Sequence, residues 1–208
     1  MKYLGKPAGM WALFAGSFEK HLTVEFDLTA GQAKDVAARA KYREIIAKLP
    51  EFDKRDRFEM NIVNCAMLAA FILCMPQRPD IKTLTDYYAA AMMTPTMKAF
   101  CRASGKKKFT PKDIEGMKAT AKLRAGDRNP YSWNMDFFEY EDGSGYEARF
   151  TTCGICTLMQ VLGLYDLTPA LCHLDYTMSD AGGASDFVRE YTLASGGPYC
   201  DCGYHKKQ

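Results

Sequence analysis

The residues of this chain best suited to chemistry are thiols, and they are unevenly spread. Five of its eight cysteines fall in the last quarter: Cys153, Cys156, Cys172, Cys200 and Cys202, interspersed with His173, Asp175, Asp180, Asp201 and His205. Cys153-Gly-Ile-Cys156 comes where a strand pattern gives way to a helical one. The N–H groups and dipole of a first helical turn favour a thiolate or a bound anion there. That spacing suits a nucleophile, a pair of metal ligands or a redox dithiol, and the motif alone does not choose among them. Cys172 and Asp175, three apart on a helix, share a face, so the carboxylate could orient a base or hold an amino group. His173 points about a hundred degrees away from Cys172, a structural or surface position. Asp180 falls near a helix end, where a cap or turn role fits.

Strand alternation across Tyr199-Cys-Asp-Cys-Gly-Tyr-His205 puts Cys200, Cys202 and Tyr204 on one face. Asp201, Gly203 and His205 take the other, with His205 reading as solvated tail. Cys153, Cys156, Cys172 and Cys200 form an alternative four-thiolate zinc set, although the paired Cys-x-x-Cys of a zinc ribbon is missing. Cys65, Cys74 and Cys101 sit within helical apolar patterns and read as core packing.

The elements that must position these residues change character along the chain. The first two-thirds read as helices. Thr29-Ala-Gly-Gln32 is a capping-box pattern, and Ala33, Val36, Ala37, Ala40 and Leu49 mark a stripe running up to Pro50. A second helix is predicted from about Arg55 to Leu73, with Ile62, Cys65, Ala66, Ala69 and Leu73 on one face. A third, about Leu84 to Arg102, contains Pro95 and must kink or break there. Thr110-Pro111 and Gly126 frame a fourth. After Asn129-Pro130, segments 134–140 and 146–152 read as strands around Glu141-Asp-Gly-Ser-Gly145, a hairpin signal. Short helices follow, Ile155 to Leu162 and Pro169 to about Ser179. Phe187 to Leu193 and Tyr199 to Tyr204 then flank a second hairpin at Ala194-Ser-Gly-Gly-Pro198. The pattern predicts a single α+β domain over 1–208, helical to about 128, with the site and an antiparallel sheet of two hairpins over about 129–208.

Composition removes several classes. Over 208 residues, 27 Lys and Arg meet 25 Asp and Glu, a net charge of +2, which offers no basic excess for a nucleic-acid backbone. Lys106-Lys-Lys108 reads as a solvated loop. No stretch reaches the roughly 18 apolar residues of a membrane span; the densest, Ile62 to Met75, is broken by Asn64 and ended by Pro76. The N-terminal stretch, with Lys2, a break at Gly5-Lys-Pro7 and a short apolar run over Met10 to Ala15, lacks the pattern of a secretory signal. A chain this long needs no disulfide staples, so reduced thiols in the cytoplasm are the expectation. Serine-hydrolase elbow, zinc-protease, P-loop and dinucleotide motifs are all missing.

The last quarter resembles the L-2-amino-thiazoline-4-carboxylic acid hydrolase family. The words that carry the resemblance are Cys153-Gly-Ile-Cys156, Gly163 before Leu167-Thr-Pro169, Leu171-Cys172, Leu174-Asp175-Tyr176, Arg189 before Thr192-Leu193, and Gly196-Gly197 leading to Cys200-Asp201. One position departs: Cys202 stands where the family usually has Phe. The resemblance implies hydrolytic ring opening of a small thiazoline in sulfur amino-acid metabolism, with Cys156 first and Cys200 second as the thiolate. Cys153 and Cys172 would support them, Asp175 would hold the substrate's amino group and Arg189 its carboxylate, with Asp201 in the binding set. No cofactor is implied, zinc being the alternative. The expected partner is a small-molecule substrate rather than nucleic acid or membrane, and a homo-oligomer stays open. A more distant similarity is to vinyl-reductase-type ligand-binding domains, which share the C-terminal hairpin ending in a cysteine; it implies a non-enzymatic small-molecule or zinc-binding module.

Overall fold

A computed structural model describes residues 6–35 and 37–207. Helix α1, Lys6–Glu25, buries Met10, Phe14, Phe18 and Leu22, a four-residue spacing that puts them on one stripe. Thr29 and Gln32 form the predicted capping box: the Gln32 N–H donates to Thr29 Oγ1 and the Thr29 N–H to Gln32 Oε1. The single helix expected after it is two, α2 (Ala30–Asp35) and α3 (Ala38–Lys48). Val36, Lys2 and Gly5 lie outside the described residues.

Helix α4, Glu59–Cys74, starts later than predicted. The carboxylates of Asp53 and Asp56 accept the N–H groups of Arg55 and Phe58, and such local side-chain bonds hold the chain in turns rather than helix. From Ile62 to Ile72 every residue of α4 is buried, so the one-sided stripe is corrected to a helix apolar all round. Leu73, expected on the inner face, is 40% exposed, because the chain leaves the core ahead of Pro76. Asn64, inside α4, donates to the sulfurs of Met92 and Met10 and accepts from the Tyr88 hydroxyl. Around α4 pack α1, α3 and a later helix, Gly154–Val161. Full burial of a side chain the size of Leu or Phe contributes about 1.5–3 kcal/mol.

Pro95 divides the third predicted helix cleanly. Helix α5, Ile81–Met92, is capped by Asp80, and α6, Pro95–Gly105, by Thr94, with the proline at its first position. Helix α7, Pro111–Arg124, has the predicted Thr110 cap. Arg124 at its end pairs with buried Asp56, and Ser132 hydrogen-bonds to both, tying α7 to the chain on either side.

The sheet has the order β1-β2-β4-β3, antiparallel throughout, from β1 (Asp136–Glu139), β2 (Gly145–Phe150), β3 (Ser185–Val188) and β4 (Cys200–Lys206). The register sets Phe150 opposite Cys200, Ala148 opposite Cys202 and Tyr146 opposite Tyr204. These inward side chains form a second apolar cluster with Met117 of α7 and Tyr176. Between the hairpins run α8 (Gly154–Val161), α9 (Thr168–Cys172) and α10 (Leu174–Gly182). The architecture is α+β as predicted, with two corrections of detail. First, Leu193 lies in a single helical turn outside the strand: Asp201 accepts the N–H groups of Glu190 and Tyr191, which draws the chain off the ladder. Second, the helix expected from Pro169 to Ser179 breaks at His173. Arg189 donates to the Cys172 carbonyl, while the Tyr176 N–H bonds instead to the carbonyl of His173. His205, expected as solvated tail, is part of β4, stacked 4.7 Å from Tyr140. No helix among the described residues is long and apolar enough to cross a membrane.

Candidate functional site

Cys153 is the N-cap of α8, with extended backbone (φ −138°, ψ 113°). Its approach is fixed by Asn134, whose Oδ1 accepts the N–H groups of Thr151 and Thr152 at 3.0 and 2.8 Å. The next residue must be glycine, because a Cβ on Gly154 would overlap the backbone carbonyl of Tyr131. The Cys153 sulfur is thereby left facing the Cys156 thiol and the start of the helix. Its pKa falls to about 7, through the Cys156 thiol first, against burial, with the N–H groups of Cys156 and Ile155 and the Trp133 side chain assisting. Cys156 moves the other way: its proton is committed to Cys153, and burial raises it further.

Cys172 and Cys200 complete the cluster. Burial raises both, and the charge of Cys153 adds to each rise. The Leu193 N–H points at Cys200 Sγ, 3.2 Å away. Tyr165, whose hydroxyl donates to the Leu193 carbonyl at 2.9 Å, feels Cys153, Cys156, Cys172 and Cys200 together. Cys153, Cys156, Cys172 and Cys200 are therefore electrostatic neighbours, and of the two thiols in the motif it is Cys153 whose surroundings favour the thiolate. All eight cysteines are free. Among the described residues no group of three His, Cys, Asp or Glu side chains is arranged to hold a metal ion.

Arg189 and Asp175, expected to hold the substrate's carboxylate and amino group, form an ion pair with each other. Asp175 comes from the first turn of α10. Arg189 follows Ser185 and Phe187 in alternation and so points inward from β3. Its side chain is only 6% exposed. One terminal nitrogen donates to the Cys172 carbonyl (3.0 Å), the other to Asp175 and to Cys202 Sγ (3.0 Å), and Nε is buried without a partner. Cys202 thus supplies an acceptor for the guanidinium. Burial first, and then the Asp175 charge, push that thiol up to about 12 despite Arg189.

This ion pair stands between two cavities. One, about 220 Å³, is lined by Cys172, His173, Tyr176, Arg189 and Thr192. The other, about 330 Å³, has Asp175 and Cys202 in its wall and lies between the inner sheet face and α6, α7 and α10. His173 lines the smaller cavity together with Cys172, its ring 5.4 Å from that of Tyr176. Asp201 stays on the opposite sheet face, where it caps the 190–191 turn, and is not brought to the thiols. Asp180 is a surface residue near Lys207. Sequence reasoning missed Asn134, Tyr165 and Lys108. Lys106 and Lys107 are exposed as predicted, but Lys108 turns inward, its amine 3.4 Å from the Tyr204 ring centroid.

Fold and site together define an α+β protein carrying a thiol cluster at a helix N-terminus beside an ion pair of a buried Arg189 and a half-exposed Asp175. The model of the L-2-amino-thiazoline-4-carboxylic acid hydrolase family matches residues 60–204, from α4 to β4, and the chain belongs to that family. No curated protein and no solved structure matches it.

Proposed function

We propose that the protein hydrolyses a small cyclic amidine of the thiazoline type, with L-2-amino-thiazoline-4-carboxylate as the model substrate and the Cys153 thiolate as nucleophile. The observation that carries this reading is the position of Cys153: a part-exposed thiol at a helix N-cap, with its thiolate favoured by a neighbouring thiol and two N–H groups. The Cys153 sulfur adds to the amidine carbon, the ring carbon–sulfur bond breaks, and the departing sulfur takes a proton. Water then adds to the same carbon and the Cys153 sulfur leaves. Its oxygen becomes the carbonyl of N-carbamoyl-cysteine, and the thiolate is regenerated. Cys156 orients the nucleophile through its thiol proton, and Cys172 lines the smaller cavity beside it. The Arg189–Asp175 pair holds α9 and α10 to the sheet and so positions Cys172.

The test is Cys153→Ser assayed by release of free thiol from the thiazoline carboxylate. Turnover should fall at least about a hundredfold, since a hydroxyl is not ionised at neutral pH. Full activity in that variant would remove the mechanism, and no activity in the unaltered protein would remove the substrate class.

A further inference from the structure

The larger cavity is not used by the thiol chemistry, and its contents are unusual for a gap between packed layers. At about 330 Å³ it falls within the range of small-molecule sites. Its walls are mostly apolar, with Phe58, Phe100, Met117, Met135 and Phe150 among them. Into this setting Lys108 projects a single amine. Three rings surround the amine: Tyr204 at 3.4 Å, Tyr146 at 5.1 Å and Phe109 at 5.7 Å from their centroids. Among the ion pairs of the described residues none involves Lys108.

The nearby charges leave that amine uncompensated. Asp113 of α7 spends one oxygen on the Phe109 N–H and the Tyr146 hydroxyl, and acts on Lys108 only at a distance. Asp175 of α10 is taken by Arg189, and Cys202 of β4 is a neutral thiol donated to by the same guanidinium. Arg57, also in the cavity wall, donates through one nitrogen to Thr120. Lys206 lies beyond the Phe109 ring and adds positive charge. Burial draws the Lys108 pKa down to about 8 against the opposing charge of Asp113.

We propose that this cavity is a second ligand site, separate from the thiol cluster, for a small monocarboxylate with an apolar body whose carboxylate pairs with Lys108. A single ammonium suits one negative charge. A phosphate would call for several donors converging on one point, whereas the Phe58 N–H at the start of α4 already donates to Asp56 and Arg57 donates to Thr120. The apolar walls suit a ring system or short chain, and the aromatic cage keeps the ammonium at the cavity edge, where a carboxylate can reach it. The proposal does not depend on the thiazoline reading.

The experiment is calorimetric titration of the full chain with 2-naphthoate and with its uncharged isostere 2-naphthamide. One equivalent of naphthoate should bind, and naphthamide should bind at least about tenfold more weakly. Lys108→Met should lose at least about tenfold in naphthoate affinity while Lys108→Arg keeps most of it, and Met117→Trp, which fills the cavity, should abolish binding. Circular dichroism checks that each variant is folded; if Lys108→Met is not, the acid–amide comparison in the unaltered protein still decides. Absence of naphthoate binding, equal affinity for acid and amide, or unchanged binding in folded Met117→Trp would each overturn the proposal.

Discussion

A thiol at a helix N-cap faces N–H groups that no intrahelical carbonyl satisfies, whereas a thiol three residues on lies inside the turn those groups begin. The hydrogen bond between the two thiols first, and that difference after it, separate Cys153 from Cys156. Reaction with iodoacetamide reads the separation directly. Cys153 should be alkylated first among the eight thiols, and its rate should rise with pH through a midpoint near 7, as the thiol loses its proton. At two units below that midpoint the rate should fall by about a hundredfold, following the thiolate fraction. Peptide mapping by mass spectrometry assigns the site, and preferential labelling of Cys156 would reverse the assignment made here. The motif was legible in the sequence. The ranking within it was not, because it depends on which sulfur sits at the cap and where its neighbour's proton points.

At the scale of elements, the site is set by breaks rather than by regular structure. Arg189 takes the Cys172 carbonyl and so ends α9; Asp201 takes two N–H groups and so ends β3. Both are side-chain bonds across the fold, and no local pattern announces them. The Pro95 break, the Thr29–Gln32 box and the Thr110 cap are local, and all three were readable from adjacent residues. Gly154 links the two kinds. It starts α8 where the Tyr131 backbone and the Ile62 side chain crowd it. Gly154→Ala should cost about 1–3 kcal/mol in urea denaturation, the usual penalty for overpacking, and should slow Cys153 alkylation by shifting the cap. A variant with unchanged stability and unchanged labelling would show that this contact does not position the thiol.

For the whole molecule, an α4 buried from Ile62 to Ile72 and a sheet packed on α7 and α10 give two apolar clusters that need no covalent staple. Titration of the denatured, unreduced protein should therefore count eight free thiols, and adding dithiothreitol should leave the melting temperature unchanged. Each disulfide would lower the count by two, and losing a native one typically costs about 2–5 kcal/mol, which the melting curve would register.

Periodicity, caps and prolines act over a few residues, and the sequence by itself determined what depends on them: helices before strands, the hairpin at Asp142-Gly143, and the inward face of Cys200, Cys202 and Tyr204. The order and spacing of its thiols also carried the family resemblance. Tertiary structure alone decided that the Cys156 thiol faces Cys153 at the α8 N-cap, that Arg189 binds Asp175, and that Lys108 turns from the surface into a cavity. Each of these outcomes is settled by burial and by partners far apart in the chain. Electrostatic energies depend on those distances and on exclusion of water, neither of which a linear pattern contains.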